Sequence, residues 1–159
     1  LKEDETVLEI GTGSVFITAC LAALSKRVVS VELHEELHQE ARARLADIGT
    51  RNAELFVGDV MGCWQPEQAH DVVVVTGSVP EVPESFLGWV NPGGRMFVVC
   101  GESPAMEAKL LTKLNATEWR EESLRSARLV WRQATEVTTS SFMYATTEVA
   151  STSGRSRPS

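Results

Sequence analysis

The chain has few of the residues that build disulfide-rich, metal-binding, nucleic-acid-binding or membrane proteins. Its three cysteines, Cys20, Cys63 and Cys100, form no CxxC pair, which argues against a disulfide framework and a zinc knuckle. Acids outnumber bases by 22 to 15, and the net charge of −7 argues against a basic nucleic-acid surface. No apolar run reaches the roughly 18–20 residues that span a bilayer, and no signal peptide precedes the first strand. We therefore expect a cytoplasmic protein with no nucleic-acid or membrane partner.

The length of 159 residues suits one domain with a real core. We place that domain at residues 1–134. Residues 135–159 form a Ser/Thr-rich tail whose end carries almost no core-forming residues and is expected to be disordered. The first residue is Leu1 rather than Met, so we expect a fragment, and we expect it to be monomeric.

Short apolar runs alternate with longer amphipathic stretches along most of the chain. This rhythm predicts an α/β fold, with a Rossmann-like, doubly wound, mostly parallel sheet, helices on both faces and a C-terminal antiparallel strand pair. Right-handed crossovers in such a sheet place a ligand at the carboxyl ends of the strands. We predict strands at 6–10, 27–32, 53–58, 71–76 and 95–100, helices at 14–24, 35–48 and 83–90, a turn at 91–94, and the antiparallel pair at 105–114 and 117–124.

A glycine turn follows the first predicted strand, and acidic residues end the next two. Gly11 and Gly13 allow the backbone to approach a ligand closely, although glycine at this turn can also serve packing alone. Glu32 lies 19 residues after Gly13, where an acid can accept both hydroxyls of a ribose. Asp59 ends the third strand and could reach an adenine amino group. Each acid alone could be a solvated carboxylate, but together on one sheet edge they predict a nucleoside site.

The residue before this turn distinguishes between two nucleoside ligands. The NAD pattern has a small third residue and places a pyrophosphate on the helix end. This chain reads Gly11-Thr12-Gly13-Ser14-Val15-Phe16, without the third small residue, and Glu9 stands two residues before Gly11. A carboxylate there repels a pyrophosphate and suits a ligand with a cationic amino group and a sulfonium, so the charge favours S-adenosylmethionine over NAD.

The segments "VLEIGTGS" (7–14), "VVSVE" (28–32) and "VTGSVPEVPESFLGWVNPGGR" (75–95) resemble the protein-L-isoaspartate O-methyltransferase family. The resemblance continues through "MEAKLLTKLNATEWREESL" (106–124). It implies S-adenosylmethionine as the methyl donor and a set of cofactor-binding residues. That set comprises Glu9, Gly11, Thr12, Gly13 and Ser14 at the turn, Glu32 and Leu33 at the ribose, Asp59 and Val60 at the adenine, and Thr76 and Gly77 at the methionine end and the acceptor.

The family methylates the carboxylate of isoaspartyl residues in damaged proteins, so isoaspartyl proteins or peptides are the expected partners. The ordinary pKa of such a carboxyl is about 4, and it is already an anion at neutral pH. No general base is needed, and we nominate no catalytic acid or base. His34, His38 and His70 share no metal-like spacing and are expected to be surface or helix residues, so we expect no metal.

The chain departs from the family pattern in three places. Val15 stands where the family usually has glycine, and a positive φ there would cost about 1–3 kcal/mol, which predicts weaker cofactor binding. The family's segment before the first strand, with a Thr-Ile-Ser stretch that covers the acceptor, does not occur here, which predicts weak or absent repair activity. After Leu124 the sequence diverges, and a frameshifted tail is one hypothesis.

Two other interpretations remain open. A non-catalytic nucleoside-binding or interaction domain could keep the fold and bind the cofactor without methyl transfer. An NAD-linked oxidoreductase is disfavoured by Glu9 and by the missing third small residue.

Overall fold

A computed structural model describes residues 1–102, 105–124 and Met143–Tyr144 of the chain. Within those residues, a mixed sheet is combined with three helices. The strands are β1 (Thr6–Ile10), β2 (Arg27–Glu32), β3 (Ala53–Val57), β4 (His70–Val79), β5 (Val90–Cys100), β6 (Glu107–Lys113), β7 (Trp119–Ser123) and β8 (Met143–Tyr144). The helices are α1 (Phe16–Leu24), α2 (Glu35–Asp47) and α3 (Glu84–Gly88). No helix of these described residues is long and apolar enough to cross a membrane.

Seven strands follow one another across the sheet in the order β3-β2-β1-β4-β5-β6-β7. The first five run parallel, whereas β6 and β7 are antiparallel to their neighbours. The short strand β8 pairs with β4 in the antiparallel direction. This arrangement confirms the predicted mostly parallel sheet with its C-terminal antiparallel pair.

Neighbouring residues of β1 show why both faces of the sheet are covered. Side chains alternate between the two faces of a strand. Val7 packs with Leu21 and Ala22 of α1, whereas Leu8 lies in the large core cluster with Phe86 of α3. Helices α1 and α2 therefore cover one face, and α3 covers the other, as the sequence predicts.

The strand order reverses between β1 and β4. From β1 the chain proceeds through β2 to β3 on one side, and it then returns to place β4 on the other side of β1. Ligands of such sheets bind outside the carboxyl ends of the strands at this switch point. The loops that follow Ile10, Glu32, Val57 and Val79 meet at that edge.

Several predicted boundaries were wrong. Helix α1 begins at Phe16 rather than at residue 14, because Gly13 and Val15 have positive φ angles. Helix α3 is shorter than 83–90, and β4 extends past residue 76 to Val79.

The predicted turn at 91–94 lies inside β5. Pairing with β4 shifts register between His70 and Val72, and Gly93 has a φ of 81°, so the segment forms a bulge rather than a separate turn. The predicted tail at 135–159 lies outside the described residues, apart from the backbone of β8.

Candidate functional site

The glycine turn joins β1 to α1 at the switch point. Gly11 and Gly13 have φ angles of 94° and 50°, a region that glycine adopts without steric strain. The amide of Gly11 donates to the carbonyl of Val31 in β2 at 2.8 Å, and the amide of Val15 donates to the carbonyl of Thr12 at 3.1 Å. The first of these hydrogen bonds ties the turn to β2, and the second closes the turn before α1. Ser14 is exposed on the turn, and Thr12 is buried.

Val15 takes the left-handed conformation that the sequence raised as a possibility. Its φ is 66° and its ψ is −1°, and among the described residues it is the sole non-glycine residue with positive φ. Its side chain is buried and packs with Ala41 and Leu45 of α2. Val15 therefore has a strained backbone, while its side chain is packed in the core.

The side chain of Glu32 links the end of β2 to the glycine turn. Its side chain is fully buried, and its Oε2 accepts the amide of Gly13 at 3.0 Å. Its Oε1 accepts the amide of His34 at 3.2 Å. The separation of 19 residues that predicted a nucleoside-binding acid thus corresponds to direct contact between the acid and the turn.

Glu9 lies deeper than the sequence predicted. Its carboxylate is fully buried between the sheet and α1, where Oε2 accepts Thr18 Oγ1 at 2.5 Å and Ser30 Oγ at 2.6 Å. The Ser30 hydroxyl is also 2.6 Å from that of Thr12. Glu9 is therefore connected to the glycine turn through the hydroxyl groups of Ser30 and Thr12.

Burial changes the acidity of Glu9. Desolvation raises its pKa to about 7, and the nearby charge of Glu32 adds to this, whereas hydrogen bonds from Ser30 and Thr18 act in the opposite direction. Its Oε1 is buried and has no hydrogen-bond partner among the described residues.

A cleft opens at the carboxyl ends of β1, β2 and β3. Together with the open solvent at its mouth, it encloses about 250 Å³. Asp59 is exposed at its rim, where Oδ1 accepts the amide of Met61 at 2.9 Å. The cleft brings together four of the predicted cofactor residues and three that the sequence did not single out. Its lining residues are Ile10, Gly11, Val31, Leu33, Gly58, Asp59 and Val60.

Gly58 is a site residue that sequence reasoning missed. A Cβ built on it would lie 2.4 Å from Cδ1 of Trp64, so the indole ring occupies the space of a side chain. The amide of Gly58 also donates to the carbonyl of Glu32 at 2.9 Å. Its position directly before Asp59 was the signal that could have identified it.

Thr76 connects β4 to the start of the glycine turn. Its hydroxyl lies 2.9 Å from the carbonyl oxygen of Ile10 and 2.5 Å from that of Gly11. Gly77 follows, and its backbone pairs with Tyr144 of β8. Thr76 and Gly77 therefore lie next to the turn, on the opposite side of β1 from Glu32.

A larger hollow of about 690 Å³ lies near Arg27, Trp64 and His70. Arg27 begins β2 and His70 begins β4, so this hollow lies toward the amino ends of the parallel strands. None of the predicted site residues lines it. The smaller cleft is the better candidate because it lies at the switch point.

A family model described as Protein-L-isoaspartate(D-aspartate) O-methyltransferase matches residues 1–135. The chain is 36% identical over 131 residues to Protein-L-isoaspartate O-methyltransferase 2 of Pelobacter propionicus, which covers 82% of this chain and 58% of that protein. It is 42% identical over 104 residues to Protein-L-isoaspartate O-methyltransferase 1 of an Anaeromyxobacter species, which covers 65% of this chain and 49% of that protein. The chain thus spans about half the length of these relatives.

Solved structures show the same fold. A protein-L-isoaspartate O-methyltransferase from Plasmodium falciparum, in complex with S-adenosyl-L-homocysteine, superposes with a TM-score of 0.67 at 18% identity and covers 77% of this chain and 63% of that one. Another protein-L-isoaspartate O-methyltransferase superposes with a TM-score of 0.64 at 29% identity and covers 71% of this chain and 37% of that one. Together with the sequence matches, these findings show that the chain belongs to the protein-L-isoaspartate O-methyltransferase family.

Proposed function

We propose that the chain binds S-adenosylmethionine in the cleft beside the glycine turn and transfers its methyl group to the carboxylate of isoaspartyl residues in damaged proteins. The observation that carries this proposal is the contact between Glu32 and Gly13, which sets an acid against the turn at the switch point. Membership in the family supports the reaction. The Plasmodium falciparum relative, which binds S-adenosyl-L-homocysteine, supports the ligand class.

The charge of the cleft fits this donor. Asp59 lines the cleft, Glu32 ends one of its strands, and its described lining residues include no lysine or arginine. Such a site repels a pyrophosphate and attracts a ligand with an ammonium and a sulfonium group. This disfavours NAD.

We assign the residues to parts of the donor as follows. Glu32 accepts the ribose hydroxyls, with Leu33 beside it, and Asp59 accepts the adenine amino group, with Val60 beneath it. The glycine turn, from Gly11 to Ser14, holds the methionine part. Thr76 keeps the carbonyls of Ile10 and Gly11 in place, and Gly77 borders the acceptor. Glu9 supports the turn through Ser30 and Thr12.

The reaction requires alignment rather than proton transfer. When bound, S-adenosylmethionine supplies a methyl carbon on a positively charged sulfur; a carboxylate oxygen bonds to that carbon while the carbon–sulfur bond breaks and sulfur keeps the electron pair. The acceptor carboxyl has an ordinary pKa of about 4 and needs no base. The side chains of this site therefore have to orient two reactants and exclude water, which can supply on the order of 7–11 kcal/mol of the barrier.

A second candidate function is nucleoside binding without catalysis. It is favoured by the strained backbone of Val15 at the cofactor turn. A chain of this kind would bind S-adenosylhomocysteine and leave isoaspartyl peptides unmodified.

Transfer of a tritiated methyl group from S-adenosylmethionine to a synthetic isoaspartyl hexapeptide tests the proposal. The matched control is the same peptide with a normal aspartyl residue. We expect label in the isoaspartyl peptide alone. Ligand binding with no label in either peptide would support the non-catalytic function, and label in both would overturn the proposed acceptor class.

A further inference from the structure

The segment between β3 and β4 closes on itself beside the candidate cleft. Gly58 and Asp59 begin the segment, and both line the cleft. The carbonyl of Asp59 accepts the amides of Gly62 and Trp64, each at 3.1 Å. The indole of Trp64 lies over Gly58, with its Cγ 2.6 Å from the position that a Cβ of residue 58 would take. Trp64 therefore contacts both of the residues that begin the segment.

A row of aromatic rings joins Trp64 to the core. Its ring centroid lies 6.2 Å from that of Trp89, in an edge-to-face arrangement, and 6.3 Å from that of Phe56. Trp89 stacks on the fully buried ring of Phe86 at 4.6 Å. Aromatic pairs at such distances attract one another beyond the area that they bury. The core therefore sets the position of the indole, and with it that of Gly58.

The carboxylate of Asp59 stands on this segment at the rim of the cleft. It is exposed, and its Oδ1 accepts the amide of Met61, which is exposed as well. That hydrogen bond lies within the segment and does not tie it to the core. The ties are made on either side of Asp59: the amide of Gly58 donates to the last carbonyl of β2 at 2.9 Å, and Val60 is buried in the core cluster against which Trp64 packs.

We infer that Trp64 is a positioning residue for the base of the methyl donor: by closing the segment on Gly58, it directs the Asp59 carboxylate at the adenine amino group and selects adenine over its 6-oxo counterpart. This inference rests on the proposed function, which assigns Asp59 to that amino group. A carboxylate accepts a hydrogen bond from an amino group and repels a carbonyl oxygen, so a fixed carboxylate distinguishes the two bases. A carboxylate that is free to turn into water loses most of this distinction.

The surroundings of Trp64 make its replacement informative. The larger hollow lies along another side of the indole. Loss of the ring would therefore extend that hollow, which water can enter, rather than leave a sealed cavity in the core. We expect such a variant to fold and to hold Asp59 less firmly.

Calorimetric titration of the full chain with two ligands tests this role. S-Adenosylhomocysteine carries the amino group, and S-inosylhomocysteine carries a carbonyl oxygen in its place. We expect wild type to bind the first at least about tenfold more tightly, since a hydrogen bond to a charged group separates the two ligands. Trp64→Ala should reduce this ratio to about threefold or less, and Trp64→Phe, which keeps a ring against Gly58, should give an intermediate ratio.

Two controls separate positioning from a general loss of stability, which would weaken the binding of both ligands by the same factor. Trp119→Ala removes another half-buried indole, in β7 at the opposite edge of the sheet, and should keep the wild-type ratio. In an Asp59→Ala background, Trp64→Ala should leave the ratio unchanged, because the group that Trp64 positions is gone. A wild-type ratio in Trp64→Ala would overturn the inference, and a wild-type ratio in Trp64→Phe would do so if Trp64→Ala did not fold.

The two proposals fail in different ways. Ratios as expected without methyl transfer to the isoaspartyl peptide would contradict the proposed reaction and leave the role of Trp64 intact. Methyl transfer by wild type, with wild-type ratios in the Trp64 variants, would contradict this inference alone. Equal affinity of wild type for the two ligands would overturn the assignment of Asp59 to the adenine, and the role of Trp64 with it.

Discussion

The carboxylate of Glu32 accepts the amide of Gly13 at 3.0 Å and so joins the end of β2 to the glycine turn. The same side chain accepts the amide of His34, which fixes the start of α2 as well. A charge-assisted hydrogen bond of this kind is stronger than a neutral one. The turn is therefore held in its bent form by an acid that also stands beside the candidate ribose site.

We predict that Val15→Gly is more stable than Val15→Ala by about 1 kcal/mol. Both variants lose the buried side chain, but only glycine adopts a φ of 66° without strain. Denaturant unfolding measures the difference. The control pair is Ala22→Gly against wild type within α1, where alanine should be favoured by about 1 kcal/mol. If Val15→Ala proved the more stable variant, the left-handed conformation would be contradicted.

Relief of this strain should also strengthen cofactor binding, as the sequence predicts. Val15→Gly should bind S-adenosylhomocysteine more tightly than wild type in a calorimetric titration. No gain would count against an effect of Val15 on the turn.

We predict that the buried carboxyl of Glu9 lowers stability as the pH rises. Its pKa is raised from 4.5 to about 7, so the folded chain holds a proton that the unfolded chain releases between these values. The stabilising contribution is complete below pH 4.5 and is lost as the pH rises through 7. The loss amounts to about 3 kcal/mol.

Glu9→Gln removes this titration and keeps an acceptor for Thr18 and Ser30. Its unfolding free energy relative to wild type should rise by about 3 kcal/mol from pH 4.5 to pH 8. Glu3→Gln removes the same charge from an exposed position and serves as the control. A difference between Glu9→Gln and wild type that does not change with pH would show that Glu9 is not buried as described.

We predict that Thr76→Val destabilises the chain by about 1–3 kcal/mol, because the carbonyls of Ile10 and Gly11 lose a donor. Thr76→Ser keeps the hydroxyl and should retain most of the stability. Thermal unfolding of the two variants measures the difference. A larger loss of stability in Thr76→Ser than in Thr76→Val would assign the role of Thr76 to its methyl group.

We predict that Gly58→Ala is destabilised by about 1–3 kcal/mol, because the added methyl overlaps the indole of Trp64. Gly88→Ala is the matched control, since nothing lies within 4 Å of its added Cβ. Tryptophan fluorescence should change in the first variant and not in the second. An unchanged spectrum in Gly58→Ala would place Trp64 elsewhere.

Much of the fold could be predicted from the sequence. The β-branched run at 71–76 and the glycine turn predicted the parallel strands and the edge of the sheet that faces the ligand, because periodicity and glycine placement are local signals. The start of α1 was predicted two residues too early, since a valine with a φ of 66° runs against the usual preference of β-branched residues. The bulge in β5 depends likewise on register with β4.

The candidate site, too, could be predicted only in part from the sequence. The position of Glu32 opposite Gly13 followed from spacing, that of Asp59 followed from the end of a predicted strand, and Leu33 and Val60 came from the family resemblance. The full burial of Glu9 could not be predicted, because its hydrogen-bond partners Thr18 and Ser30 come from two other elements. Gly58 was missed because its need for a small side chain arises from Trp64, six residues away in the chain.

The most direct test of the account is a calorimetric titration of the wild-type chain and Glu32→Gln with S-adenosylhomocysteine. We expect wild type to bind one equivalent, and Glu32→Gln to bind at least about tenfold more weakly, since a charged acceptor near the ribose and the turn is lost. Equal affinity in the two proteins, or no binding to a folded wild-type chain, would contradict the claim that this acid-lined cleft holds the methyl donor.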